Sequence, residues 1–448
     1  MTKKNTLFVS IASYRDPELL PTLKNMLVTA KHSHKLHVAV CWQYDNDDIS
    51  LFTNVGMQLT EHKDCGEYQL WRFRWLKAQI DIIGVHYYHS QGACWARYMT
   101  ETRYRGETYS LQIDSHCRFV VHWDSKIVAM LEGLREISSK PVLSTYPPPY
   151  DPHEADEKRG KFVSRLIFRE FSNEGLPMFS STPIEVQAPQ RGSYIAGGFI
   201  FADGRFIREV ANDPHIFFAG EEIAMAARAF THGYDVYTPH QIILWHYYGR
   251  KDASKVWGDH NRNAKETGEV AMAWWERDAL SKKRIRSLFG LEDTPQDLGQ
   301  YGLGTQRSLR EFEQTVGIDF RRRAVLPEVV EGEKISYFSP ACWLTEEEWA
   351  LRLTSPLRKK LTLKKVEMPS APDEDAWWHL GIYTANNRLI EKKIYSLTEM
   401  NALVDAGNEE EFSLNVHVNA KTLMPPATIR LCAFHDDIGW GEVLETAW

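Results

Sequence analysis

The first 42 residues set the strongest constraint on what this chain can become. Residues 7–12 (LFVSIA) and 36–42 (LHVAVCW) are short, apolar and β-branched, as strands buried on both faces of a sheet tend to be. Between them, Leu19, Leu20, Leu23, Met26, Leu27 and Ala30 fall on one face of a helix. Asp16 is its expected cap and Pro17 its expected first helical residue. Strand, helix, strand is a βαβ unit with a right-handed crossover, which places the chain in the α/β class.

The length of 448 residues leaves room for two or three domains. A net charge of −7 provides no global basic field, which argues against nucleic acid as a partner and against a polybasic membrane anchor. No run of about 18 apolar residues occurs, so no integral membrane segment is expected. The apolar run ending at Ala12, preceded by Lys3 and Lys4, reads as a first strand rather than a signal peptide, because no cleavage site follows it. Six cysteines (41, 65, 94, 117, 342, 432) are scattered without a C-x-x-C pair. That pattern suggests neither zinc nor a disulfide framework, and it predicts a reducing, cytoplasmic setting. The 15 tryptophans offer stacking surface for a base or sugar, although core packing is their commoner use.

Further along, residues 73–104 read as a helix rich in arginine and aromatics. In YSLQIDSHCRF the pattern returns to a strand: Tyr109, Leu111 and Ile113 share one face, Ser110, Gln112 and Asp114 the other. Asp114 then sits at the carboxyl end of a central strand, where open α/β sheets place their ligand-binding loops. A helix is expected over 124–137, a long loop-rich excursion over 146–191, and a strand over 195–201. Then come a helix over 221–232 stopped by Gly233, and a strand over 242–250 running into a polar tail. Residues 251–335 are charged and helical in pattern. Beyond about residue 336, β segments alternate with Gly, Asn and Pro turns, with SAPDED (370–375) as a linker. The expected fold is a mixed sheet flanked by helices over residues 1–335, with a smaller, mostly β domain over 336–448.

The sharpest chemical signal is Asp114-Ser115-His116 at a strand end. A divalent cation held against a diphosphate needs a few oxygen or imidazole ligands and open positions for phosphate oxygens. Two residues spaced this way reach one ion only if the backbone turns just after the strand. A third ligand must come from elsewhere, and His246 is the candidate. The competing reading makes Asp114 a turn cap and His116 a surface histidine, a frequent outcome for so short a motif.

Three longer segments carry a family resemblance: IASYRDP, GETYSLQIDSHCRFVVHWD and FAGEEIAMAARAFTHGYDVYTPHQIILWHYYGR. In this order they resemble the cytoplasmic hydroxyproline N-acetylglucosaminyltransferases, GT-A-fold enzymes that use UDP-GlcNAc. More distantly, the D-S-H, G-E-E, H-x-x-x-R order resembles the mucin-type polypeptide N-acetylgalactosaminyltransferases. The resemblance spans about residues 5–330. It implies that Asp114, His116 and His246 hold Mn²⁺, or Mg²⁺ in its place, against the donor diphosphate, with Ser115 in the donor-binding set. It places Ser13, Arg15 and Asp16 near the uridine and Arg97 facing the donor. Glu221 or Glu222 then contacts the sugar or the acceptor hydroxyl, and Tyr248 and Arg250 clamp the pyrophosphate, Arg250 through its bidentate fork.

The implied reaction is retaining transfer of GlcNAc from UDP-GlcNAc to an acceptor hydroxyl, on protein hydroxyproline or on a glycan. Were the enzyme inverting, Glu222 would be the nominee for general base. Simpler accounts stand beside several of these roles. Carboxylates at 221 and 222 suit a helix N-terminus, Asp16 suits a cap, Arg97 suits a solvated helix face, and Tyr248 suits packing at a strand end. Tyr146 to Tyr150 (YPPPY) reads as a polyproline-like loop, with an acceptor-facing wall as the alternative; Trp274 and Trp275 read as core or hinge packing, and Arg321 to Arg323 as a solvated face, with an interaction patch as the less common reading. His32 and His34 read as a helix end. Two rival functions remain: a metal-dependent hydrolase of nucleotide-sugars, and a non-catalytic glycan-binding protein.

Overall fold

The computed structural model describes residues 5–369 and 376–448; Lys3, Lys4 and the expected linker 370–375 lie outside the described residues. The chain divides into two compact units, Met1–Val316 with Ser336–Pro340, and Gly317–Ile335 with Ala341–Trp448.

The first unit is built on the βαβ opening. Strand β1 (Leu7–Tyr14) runs parallel to β2 (Leu36–Tyr44), and the connection between them carries the helix Leu19–Thr29. That helix starts at Leu19, not at Pro17, and Asp16 is not its cap. The reason is that Asp16 is used elsewhere: one carboxylate oxygen accepts from the Glu18 N–H in a tight turn, and the other from Ser115 and His116.

The expected helix over 73–104 is also corrected. After β3 (Gln58–Asp64), the end of β4 (Gln69–Trp75) and all of β5 (Ala78–His86) occupy the first part of this segment, a single 3-10 turn covers Tyr87–His89, and the α-helix is confined to Ala93–Glu101. The alternation in QLWRFRW, with Trp71, Phe73 and Trp75 buried and Arg74 exposed, has period 2 and belongs to a strand.

Strand β6 (Tyr109–Asp114) pairs parallel with β1 on the side away from β2, with Ala12 opposite Asp114. After it come the short β7 (Cys117–Phe119) and a helix that spans Trp123–Glu132, shorter than expected because Gly133 ends it and Ile137 is exposed. Strand β8 (Pro141–Ser144) follows. The 146–191 excursion is not loop throughout, for it contains the antiparallel hairpin β9 (Val163–Phe171) and β10 (Pro177–Ile184) before β11 (Gln190–Arg191). Strand β12 begins at Phe199 and ends at Asp203, so Ile195–Gly198 lead into it rather than belong to it. Helix Glu221–Thr231 ends before Gly233, whose positive φ of 83° is the expected stop. Then come β13 (Asp235–Thr238) and β14 (Leu244–His246), a much shorter strand than 242–250.

Ten of these strands form one mixed sheet in the order β11-β13-β8-β12-β6-β1-β2-β5-β4-β3. Its central four, β6, β1, β2 and β5, are parallel; β12 lies antiparallel against β6 and β8. The core holds Val9, Ile11, Val38, Val40, Leu111 and Ile113 from the sheet, against Leu23, Met26 and Leu27 of one helix and Ile127 and Leu131 of another. On either side of β6, the carboxyl end of β1 and the amino end of β12 meet at Asp114.

The second unit is β-rich. One four-stranded sheet orders β15 (Ile318–Asp319), β16 (Ala324–Val325), β17 (Thr354–Lys364) and β20 (Glu411–Lys421). Another orders β19 (Leu389–Ser396), β18 (Trp377–Thr384), β21 (Pro426–His435) and β22 (Gly439–Ala447). Its core includes Leu361, Trp378, Leu380, Met400, Leu414 and Leu431. Among the described residues no helix is long and apolar enough to cross a membrane.

Candidate functional site

Asp114 is the last residue of β6, and the chain turns at Ser115 so that His116 comes back beside it. Strand β14 pairs antiparallel with β7 and sets His246 opposite Cys117. The short strand pair is therefore what joins residues 130 positions apart. Ligand atoms of Asp114, His116 and His246 all lie within 4.8 Å of one another. His246 Nε2 is 3.1 Å from Asp114 Oδ2, and the two imidazole rings stand 4.5 Å apart, edge to face. His116 is buried, not a surface histidine.

Asp16 orients this cluster from behind. It accepts from the Ser115 hydroxyl and from His116 Nδ1 at 2.8 Å, and pairs with Arg250 Nη2 at 3.2 Å. An imidazole that donates through Nδ1 presents Nε2 as its acceptor, the ligating form. Burial alone would push the Asp16 carboxyl up, but the His116 hydrogen bond and the nearby Arg250 charge hold it below its ordinary value. Asp114 behaves likewise: burial opposes its charge, yet the His246 hydrogen bond and the Arg97 guanidinium hold it well below the carboxylate range. Burial pushes His246 down against the pull of Asp114, favouring the neutral ring. Among the described residues, its Nδ1 is buried without a hydrogen-bond partner.

Arg97, 4% exposed, is clamped rather than solvated. Its Nη1 lies 2.7 Å from both oxygens of Glu221 and its Nη2 3.1 Å from Asp114 Oδ1. Glu221 also accepts from the Cys94 thiol at 2.8 Å. Among the described residues, the neighbouring Glu222 has no cation partner. It accepts from the Tyr146 hydroxyl at 2.5 Å and from the Gly197 N–H at 2.9 Å, and burial, reinforced by the Glu221 charge, pushes its pKa up to about 7.

This last shift predicts a pH effect on stability. A carboxyl whose folded pKa is raised from 4.5 to about 7 binds its proton more tightly in the folded state. Its stabilising contribution is whole below pH 4.5 and is lost as pH rises through 7. Glu222→Gln is therefore expected to be more stable than the wild type at pH 8 by about 2–3 kcal/mol, with no gain at pH 4. Glu101, also raised to about 7 by burial, titrates in the same window, so only the difference between the two proteins isolates Glu222. Urea midpoints at both pH values check it; a gain of equal size at pH 4 would contradict the assignment.

Together these groups line a cavity of about 540 Å³ that also receives Tyr14, Phe217, Phe218 and Trp257. Of the residues anticipated from the sequence, Asp16, Arg97, Asp114, Ser115, His116, Glu221, Glu222, His246, Tyr248 and Arg250 all line it. Ser13 and Arg15 do not. Ser13 is fully buried, and Arg15 is held by Asp259 at 3.0 Å and Asp45 at 3.2 Å over the Tyr87 ring. Tyr14 takes the lining position between them, its hydroxyl donating to Asp259 at 2.8 Å. Tyr248 lies against the His246 ring and donates to the Pro147 carbonyl at 2.9 Å.

Reading the sequence alone misses Cys94, Gly197 and Gly198, and it prefers a plain loop for Tyr146, which lines the cavity. The two glycines carry a visible signal, a Gly-Gly inside the expected strand 195–201, which marks close approach by another group.

Residues 6–322 match the family model described as Glycosyltransferase (GlcNAc). The chain belongs to this glycosyltransferase family. No curated protein matches it significantly. Among solved structures, it is similar to TarS of S. aureus at 9% identity and a TM-score of 0.36, over 99% of this chain and 77% of that one. The TarS 1-349 structure gives 7% and 0.35, over 63% and 72%. The mannosyltransferase PcManGT of Pyrobaculum calidifontis, in complex with GDP-Man and Mn²⁺, gives 10% and 0.35, over 56% and 59%.

In this glycosyltransferase the glycine pair can be tested directly. A Cβ on Gly198 would stand 2.7 Å from Asp114 Oδ2, and one on Gly197 would overlap Glu221 Oε1. Gly198→Ala must displace Asp114, and displacement by a fraction of an ångström to an ångström costs on the order of 10- to 100-fold in a positioned site. Transfer activity is expected to fall by that factor with an unchanged far-UV circular dichroism spectrum. Wild-type activity in the variant would show that Asp114 needs no such room.

Proposed function

We propose that this glycosyltransferase is a metal-dependent, retaining enzyme of GT-A type that moves GlcNAc from UDP-GlcNAc to an acceptor hydroxyl, of protein hydroxyproline or of a glycan. The observation that carries the reading is the convergence of Asp114, His116 and His246 within 4.8 Å at the wall of the cavity. One carboxylate and two imidazoles suit Mn²⁺ better than Mg²⁺, which prefers oxygen ligands. His246 Nε2, 3.1 Å from Asp114 Oδ2, and the carboxylate behind His116 fit ligation as well. When bound, the ion supplies Lewis-acid stabilisation of the charge on the departing diphosphate.

The protein's own groups do the rest. Arg250, held beside Asp16 and His116, presents its guanidinium to the diphosphate. Arg97 ties Glu221 to Asp114 and keeps both carboxylates in place. Glu222, near half-protonation at neutral pH, holds a proton it can share with a sugar hydroxyl. In retaining transfer the bond from the anomeric carbon to the diphosphate oxygen breaks and a bond to the acceptor oxygen forms on the same face. The acceptor proton passes to the departing phosphate, so Glu221, already tied to Arg97 and Cys94, need not act as a base.

The catalytic domain of this proposal is residues 1–335, with residues 336–448 as an accessory domain, and the setting is cytoplasmic. Incubating the purified chain with a panel of UDP-sugars and Mn²⁺, without acceptor, tests the reading. Slow release of UDP from UDP-GlcNAc above all others supports it. Release that far outruns transfer once acceptors are added favours the hydrolase, and no UDP- and Mn²⁺-dependent thermal shift favours a binding protein.

A further inference from the structure

Phe217 forms a wall of the candidate active site and also lines a second cavity, of about 340 Å³. Polar groups from three parts of the chain converge on this second cavity: Gln91, His215, Arg277, Arg284 and Gln296. Among the described residues, no aspartate or glutamate lines it. Arg284 is already neutralised, its Nε 2.6 Å from Asp213 and its Nη atoms on the carbonyls of Asp297 and Leu298.

Arg277 is different. No carboxylate among the described residues pairs with it, and its Nε is buried with no hydrogen-bond partner. Burial without a counter-charge depresses its pKa, so the guanidinium is held at a cost. Arg277, Leu280 and Arg284 stand three and seven residues apart on the helix Trp274–Leu288, so one helix face presents the cation, an exposed leucine and a second guanidinium to the same cavity. A planar donor fork left unfilled among amides is matched by a small oxyanion, which accepts two of its N–H groups at once.

We propose that this cavity is a second binding site, separate from the donor cavity, for a phosphate or carboxylate group. Arg277 anchors the anion, Gln91 and Gln296 add hydrogen bonds, and Phe217 and Leu280 cover the body of the molecule that carries it.

The test is titration of the metal-stripped full chain with inorganic phosphate by calorimetry, in four proteins. Arg250→Met disables phosphate contacts in the donor cavity and is expected to leave saturable binding in place. Arg277→Met keeps an unbranched apolar stem, loses the fork, and is expected to weaken binding at least about tenfold, the loss of a charge-assisted hydrogen bond. Leu280→Glu sets a carboxylate at the exposed rim without touching the core, and is expected to weaken binding as much. Benzoate and acetate arms then separate sources: benzoate binding more tightly than acetate identifies a ligand with an apolar body, and equal binding identifies a free oxyanion. Wild-type affinity in both Arg277→Met and Leu280→Glu, loss of all binding in Arg250→Met, or no saturable binding to the unmodified chain would each overturn the proposal.

Discussion

Asp114→Asn is expected to lower sugar transfer on the order of 10³-fold, equivalent to about 4 kcal/mol of transition-state stabilisation. The substitution is chosen because it keeps size and a carbonyl oxygen. Arg97 Nη2, now 3.1 Å from Asp114 Oδ1, retains an acceptor, and its charge is still met by Glu221. What disappears is the negative charge that two imidazoles cannot replace. Outer partners of metal ligands typically cost 10- to 100-fold when removed, and a direct charged ligand should cost more. Affinity for Mn²⁺ by calorimetry should fall in parallel, and saturating Mn²⁺ should restore part of the activity. Transfer within tenfold of wild type, at unchanged Mn²⁺ affinity, would remove Asp114 from the ligand set.

The reason this residue could be singled out from sequence is also the reason other parts could not. Asp114 ends a strand whose alternation is plain, and a strand's carboxyl end is a predictable place for a ligand loop. The helix at 221–231 was legible through its 3.6-residue periodicity and its terminal glycine. By contrast, 73–104 mixes arginines with aromatics, and its short period-2 stretches were submerged in a window scaled for helices. The hairpin β9–β10 is hidden for a related reason: the prolines around 147–149 and the polar residues after them read as loop, although its two strands are neighbours in sequence, because β propensity is decided by the packing of the pleated surface more than by local composition. Arg97 shows the limit for side chains. Whether an arginine on a helix faces water or two carboxylates depends on Glu221 arriving from 124 residues away, and nothing local to ACWARYMTE says so. The same holds for Tyr146, whose bond to Glu222 exists only because the polyproline loop crosses the cavity.

Arg97 is also where the largest loss of stability is expected. Its guanidinium is buried and meets two carboxylates, so Arg97→Met removes the cation and leaves Asp114 and Glu221, both mostly buried, without it. Breaking a buried pair by deleting one partner costs about 3–5 kcal/mol, chiefly the penalty of the charge left behind. The sign of the pH dependence follows from Asp114. Its carboxyl is held below the unfolded value, so its contribution to stability is present above that value and lost as pH falls through the folded one. Arg97 supplies part of that depression; without it, the contribution shrinks, and wild type and variant should converge as the solution is acidified. Urea midpoints at pH 7, pH 4 and pH 2 measure the gap, which should narrow chiefly below pH 4, where the folded carboxyl begins to take up its proton. Adding Glu221→Gln to Arg97→Met should recover at least about 1 kcal/mol, because it removes one of the two uncompensated charges, and a double-mutant cycle isolates that coupling. A gap below 1 kcal/mol at pH 7, or one that widens at pH 4, would mean that water or a shifted side chain already compensates these carboxylates and that Arg97 does not hold the site together.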